Sequence, residues 1–340
     1  MHNETKIING IKIIPPHLNA EFYRTLDPKT SFISGLDYIR ISPDGAVLIG
    51  SSDHTARKLT GQACIYKTIA DAYQQQTYNP KSIFLNSGTN DGCFIENSDK
   101  VFLCEDSGAV SVWTKSSGKD VWHDWVEDIS VSEHDDAALV VDCLYPGKDY
   151  VTAGADGNIK VWDISMLICM KNYLNAHSHP IYGLAVRPQS NTDFASGSMD
   201  QYLNLWSDNT EKSVLELHVS DCSIRCLAWI NENQLIFGNE AGALKLVDIR
   251  NPDTVTKLTE FPAAVHRLAV NSDCSKVAVC CDNKMVSVCE ITEGINCKVG
   301  YQDRHLHTEF VRGLAWDVQD KNVLHSVGWG AQIKTHQLFK

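Results

Sequence analysis

The sequence predicts an all-β fold, a closed propeller of seven blades. Three observations carry that prediction: a recurring unit, strand-like alternation inside it, and no long stretch of helical periodicity. Each unit runs from a polar or His-containing stretch to an alternating strand, then Gly or Ser with an acidic turn, then a short apolar strand closed by Trp-Asp or a substitute. Two copies are strong. One comprises Glu133–Asp136, Val140–Leu144, Val151–Asn158 and Ile159–Asp163; the other comprises Ala176–His179, Ile181–Val186, Ala195–Asp200 and Leu203–Trp206. Weaker copies place the closing position at Tyr66, Trp113, Val247, Cys289 and His336.

With Trp162 and Trp206, these closing positions stand 47, 49, 44, 41, 42 and 47 residues apart, a mean of 45. That is the period of a WD-repeat blade, roughly 40–45 residues, and not of helical repeats of roughly 33–34. Within each unit the apolar runs are short and bounded by Gly, Asn, Asp and Pro, as half-buried strands require. Thr68–Asn79, with Gln74–Gln76, reads as a polar insertion between blades. Since four residues follow His336 in the sequence, the last blade needs an outer strand from elsewhere, and residues 18–33 are expected to supply it. The ring is thus expected to be closed by an N-terminal strand, with an arm over 1–34 and the propeller over 35–340. Deleting 1–33 should then lower the melting temperature markedly.

Length alone admits two domains or one large all-β domain. The 340 residues are 43% hydrophobic and 21% charged, enough to bury a core, and carry a net charge of −12. That charge speaks against direct nucleic-acid binding and against acidic membranes, and leaves room for basic partners such as Arg-rich peptides. The twelve cysteines fall at irregular spacings, mostly in apolar runs, with no C-x-x-C pair. No signal pattern and no long apolar span appear. Reduced thiols in an intracellular protein are expected, in the cytoplasm with the nucleus as a second compartment.

Two sets look chemical. His134, Thr152, Asp156 and Trp162 form one; His177, Asp200, Trp206 and a hydroxyl at Ser196 or Ser198 form the other, with Ser198 taken as its member. Asp in a tight turn can accept from a loop His while a hydroxyl and the indole N–H complete a buried network. A Ser-His-Asp hydrolase is the competing reading. It fails because the sets recur at the blade period and lack a nucleophile elbow. His177-x-His179 and His305-x-His307 have no carboxylate or thiolate at ligand spacing, and no phosphate or dinucleotide fingerprint is present. No enzyme activity, metal or cofactor is expected.

Two segments stand out as surface. Residues 120–147 carry eight acidic groups and no Lys or Arg. Trp122, Trp125, Asp128, Glu133, Asp135 and Asp136 there read either as a docking patch for a basic partner or as a solvated outer strand with one Trp buried between blades. Ser51–Gly61, containing His54, Arg57, Lys58 and Leu59, reads as a long inter-strand loop suited to interaction.

The chain resembles the methylosome WD-repeat subunit, the partner of the type II protein arginine methyltransferase. The resemblance rests on Asp106–Trp113, Glu133–Asp136, Ile159–Asp163, Phe237–Gly242, Leu246–Asp248, His307–Arg312 and Val327–Trp329, collinear over residues 36–336. It implies a non-catalytic adaptor that binds and stabilises the TIM-barrel domain of the methyltransferase. It also implies presentation of Arg-rich substrates, such as Sm-protein or histone tails, for symmetric dimethylation; the methyl donor belongs to the enzyme. In that family a first-blade loop inserts an aromatic residue into the barrel. Here the position falls at Leu59, whose smaller apolar area costs on the order of 1–2 kcal/mol, with His54, Arg57 and Lys58 beside it. The N-terminal arm also departs from the family. A generic WD-repeat scaffold, such as a ubiquitin-ligase substrate receptor, is the alternative.

Overall fold

The computed structural model describes residues 6–8, 11–13, 35–53, 60–74, 82–116, 124–292 and 296–338. The chain divides into two compact units, 1–32 and 33–340. In the first, Lys6–Ile8 pairs antiparallel with Ile11–Ile13. The closing strand expected within 18–33 lies outside the described residues.

The second unit contains seven antiparallel meanders, numbered here as blades 1 to 7. Blade 1 is Leu36–Ile41, Val47–Asp53, Thr60–Tyr66 and Ile83–Leu85. Blade 2 is Thr89–Ile95, Asn97–Glu105, Ala109–Lys115 and Trp125–Ser132. Blade 3 is Ala138–Tyr145, Asp149–Gly154, Ile159–Asp163 and Ile168–Tyr173. Blade 4 is Ile181–Val186, Asp193–Ser198, Tyr202–Ser207 and Leu215–His218. Blade 5 is Ile224–Asn231, Gln234–Asn239, Ala243–Asp248 and Val255–Glu260. Blade 6 is Val265–Val270, Lys276–Cys281, Val286–Thr292 and Asn296–Asp303. Blade 7 is Val311–Trp316, Val323–Gly328 and Gln332–Gln337, three strands among the described residues.

The seven closing positions all fall on third strands and share one register. Tyr66, Trp113, Trp162, Trp206, Val247, Cys289 and His336 face Val47, Val101, Tyr150, Phe194, Leu235, Val277 and Leu324 on the second strands. Thr68–Asn79 is placed differently from expectation. Gly61–Ala63 pairs with Ile83–Leu85, so the insertion lies inside blade 1 and not between blades. It opens with a short helix, Ile69–Gln74, whose first turn is capped by the Thr68 hydroxyl accepting from the Asp71 amide at 3.2 Å.

A blade is apolar on both faces and cannot bury either alone; stacking against two neighbours does it. Each of the seven core clusters accordingly spans two adjacent blades. Phe102, Val110 and Val112 of blade 2 pack on Tyr150 and Trp162 of blade 3. Val151 and Val161 of blade 3 pack on Phe194 and Trp206 of blade 4. The seam that completes the ring sets Ala315, Val327 and Ile333 of blade 7 against Leu36, Ile39, Val47 and Ile49 of blade 1.

Every inner strand breaks register at its second residue, where two residues oppose one on the neighbouring strand. Such a bulge leaves its extra residue out of the ladder and re-aims the side chain. The seven extra residues are Asp37, Asn90, Leu139, Tyr182, Arg225, His266 and Arg312. All seven line one axial cavity of about 370 Å3.

Candidate partner-binding face and channel mouth

The two candidate sets are buried pins. In blade 3, His134 Nδ1 meets the Asp156 carboxylate at 3.0 Å and Nε2 meets Thr152 Oγ1 at 2.9 Å, while the Trp162 indole donates to the same hydroxyl at 2.8 Å. In blade 4, His177 Nδ1 meets Asp200 at 2.9 Å, Nε2 meets Ser196 Oγ at 2.7 Å, and the Trp206 indole donates to Ser196 at 2.8 Å. Donors and acceptors balance in one way: Nδ1–H to carboxylate, hydroxyl to Nε2, indole to hydroxyl. The Ser198 assignment is corrected here. Ser196 and Ser198 share one face of the strand, but Ser196 lies one step nearer the Phe194–Trp206 pair and receives the indole, and the Ser198 hydroxyl instead bonds the carbonyls of His179 and Pro180, both at 3.0 Å. Thr152 and Ser196 are fully buried and saturated, so neither hydroxyl can attack an external substrate.

The equivalent of Thr152 and Ser196 is Ile49, Leu103, Phe237, Val279 and Ser326 in blades 1, 2, 5, 6 and 7. Blades 1, 5 and 6 replace hydroxyl and indole together, which strands no donor. Blade 2 keeps Trp113, whose indole finds Ser111 at 3.0 Å. Blade 7 makes a variant that the Trp-based reading of the sequence missed. Ser326 Oγ lies 2.6 Å from His307 Nε2 and 2.7 Å from His336 Nε2, and the Tyr301 hydroxyl meets His336 Nδ1 at 3.0 Å. Burial, then His336, pushes His307 down to about 4; burial likewise holds His336 down at about 4.

The channel mouth is electrically divided. On blades 5 to 7, Arg312 Nη1 donates to Asp282 at 2.6 Å and to His266 Nδ1 at 3.0 Å, and its guanidinium lies 4.1 Å over the Trp329 ring. Arg225 stacks 4.7 Å over Tyr182 and stands 3.9 Å from Asp282. Burial first, then Arg312, Arg267 and Arg225, holds the His266 imidazole well below its usual range, so it is neutral. On blades 1 and 2, Asp37 accepts from the Trp329 indole at 3.0 Å and Asn90 donates to Asp106 at 2.7 Å. One step deeper, Asp91 of blade 2 accepts from Arg40 of blade 1 at 2.7 Å and from Arg267 of blade 6 at 3.4 Å. Burial would raise the Asp91 carboxyl, but Arg40 and Arg267 outweigh it and hold it low.

The acidic segment divides. Trp125, 8% exposed, packs with Leu85, Val101 and Leu103 between blades 1 and 2; it is a core residue and not a surface anchor. Its backbone belongs to the outer strand that pairs with Ala109–Lys115, which turns the ring inward. Asp128 lies on that outer edge, bonded to Thr114 and 3.8 Å from Lys100. Glu133 faces Lys160 at 3.9 Å, and Asp135 and Asp136 are exposed in the loop that leads into blade 3. Trp122 and the loop residues His54, Arg57, Lys58 and Leu59 lie outside the described residues. Among the described residues no three His, Cys, Asp or Glu side chains form a metal set.

Residues 126–163 and 168–207 match the WD domain, G-beta repeat family, and each segment ends on a third strand whose indole closes a complete pin. This is a WD-repeat propeller. Over 312 residues the chain is 26% identical to the methylosome protein WDR77 of Xenopus laevis, covering 88% of each. A shorter match, 26% over 107 residues, covers 32% of this chain and 22% of the U3 small nucleolar RNA-associated protein 15 of Schizosaccharomyces pombe. A chain in the crystal structure of the mitotic checkpoint complex superimposes with a TM-score of 0.70, covering 90% of this chain and 87% of that one. At 12% identity that likeness speaks to the propeller fold alone. The WD-repeat propeller is a scaffold fold, and the two pins are part of its framework.

Proposed function

We propose that this WD-repeat propeller is the adaptor subunit of a type II protein arginine methyltransferase, binding and stabilising the enzyme's TIM-barrel domain and helping to present Arg-rich substrates. The observation that carries this reading is the likeness to the methylosome protein across 88% of both chains. The net charge of −12 and the exposed pair Asp135 and Asp136 fit basic tails as cargo. Asp53 and Thr60, which frame the first-blade loop, end their strands on the same end of the propeller as the bulge residues, where inner strands begin and second strands finish. A partner held by that loop would therefore adjoin the channel mouth.

Co-expression with a tagged type II arginine methyltransferase tests the reading. Stoichiometric co-purification is expected, and Leu59→Asp should abolish it by placing a charge where an apolar contact is needed. Failure of the wild-type chain to co-purify would overturn the adaptor role and favour a general scaffold. The double variant Asp135→Asn/Asp136→Asn should capture an Arg-Gly-rich peptide less well, with a shallower salt dependence, while keeping the enzyme. Under this reading the protein works in the cytoplasm and the nucleus, which imaging of the tagged chain would check.

A further inference from the structure

Three successive blades each place a hydrogen-bond donor at the same bulge position of the channel mouth: Arg225, His266 and Arg312. Arg225 is only 21% exposed, yet among the described residues its guanidinium has no hydrogen-bond acceptor; the Asp282 carboxylate, at 3.9 Å, is beyond bonding range. His266 adds a second unused donor. Arginine can only donate, so His266 Nδ1 accepts from Arg312 and the ring proton sits on Nε2, for which no acceptor is present among the described residues. Arg312, 11% exposed, is anchored by Asp282 and clamped over Trp329, which fixes the third wall. Arg312 Nε is buried without a partner, whereas the Arg225 and His266 donors stay open to a cavity that has room for a small group.

We infer that this arc of the mouth is a receptor for a single carboxylate of a peptide, taken from an Asp or Glu side chain or from a chain terminus. The charge balance selects the ligand. Arg267, which lines the same cavity, is paired with Asp91, so on this arc the Arg225 and Arg312 guanidinium groups and the His266 imidazole face one carboxylate, Asp282, which leaves one positive charge to be matched. A monoanion matches it; a phosphate dianion would be driven against Asp282. Arg225 supplies the planar fork that a carboxylate accepts in parallel, and its stacking on Tyr182 holds that fork in place before binding. Across the mouth Asp37 and Asp106 oppose a second negative charge. The site therefore prefers an isolated acidic residue to an acidic run. It is independent of the methyltransferase reading and uses none of the residues assigned to that contact.

Titration of the full chain with N-acetylglutamate α-amide, followed by NMR of the arginine Nε–H and histidine ring signals, tests the inference. Saturable shifts of Arg225 and His266 are expected from this probe and not from N-acetylglutamine α-amide. N-acetylalanine, which offers only a terminal carboxylate, separates the two sources: binding tighter or weaker than the glutamate probe assigns the terminus or the side chain. Arg225→Gln should weaken binding about tenfold, the loss of one charge-assisted pair, with Arg225→Lys intermediate and the melting temperature of both close to wild type. Equal shifts from the glutamate and glutamine probes would overturn the site, as would undiminished affinity in both variants. Inorganic phosphate binding more tightly than either carboxylate would also overturn it.

Discussion

At the scale of single residues, the pins make sharp demands. Ser196→Ala should cost about 2–4 kcal/mol in chemical denaturation, because both the Trp206 indole and His177 Nε2 lose their buried partner. Ser198→Ala should cost less, since the hydroxyl it removes bonds only backbone groups of the preceding loop and the turn; equal losses would return Ser198 to the pin. Backbone conformation adds a second demand. Gly157 follows Asp156 at φ 74°, and a Cβ there would sit 2.4 Å from the His177 carbonyl. The same turn in blade 4 holds Gln201 at φ 77°, which a side chain tolerates poorly. Gln201→Gly should raise stability by about 0.5–1 kcal/mol, while Gly157→Ala lowers it by more.

At the scale of elements, blade 7 carries its own acid sensitivity. His307 and His336 stay neutral down to about 4, whereas in the unfolded chain each takes its proton near 6.5. Below 6.5 the unfolded state therefore binds protons that the folded state does not, and stability falls as pH drops from 6.5 toward 4. Asp156 acts in a different window. Burial would raise it, but His134 and Asn158 overcome that and hold it at about 2, so its contribution is lost only as pH falls below 3.8. His336→Trp, which restores an indole donor to Ser326, should shrink the loss of melting temperature between pH 6.5 and 4 without abolishing it, since His307 still resists protonation there, and leave the lower limb unchanged. The third strands and pins were legible in the sequence because Trp-Asp and His leave residue-type marks at fixed spacing. Blade 7 was half-legible: His336 was placed by period alone, and its partners Ser326 and Tyr301 carry no such mark. The bulge ring was not legible, because a register break is a property of backbone pairing and its occupants, from Asp37 to Arg312, share no residue type. Trp125 misled for a related reason. Its acidic neighbours look like surface, but an outer strand alternates faces, and Trp125 occupies the inward one.

At the scale of the whole molecule, the seven interfaces are alike in construction, while the ion-paired core of the channel joins blades far apart in sequence. Asp91→Ala should destabilise the chain by about 3 kcal/mol, as it strands Arg40 and Arg267 at once. Because Arg40 is partly exposed and can be rehydrated, the double variant Asp91→Ala/Arg267→Met should recover part of that loss. No recovery in equilibrium denaturation would mean that the two groups do not share their energy. The same triad has a consequence for traffic along the axis. Blades 2 and 6 stand on opposite sides of the ring, so Asp91 and Arg267 join hands across the hole just beneath the mouth. Whatever sits in the mouth therefore rests above a charged floor that three blades hold in common.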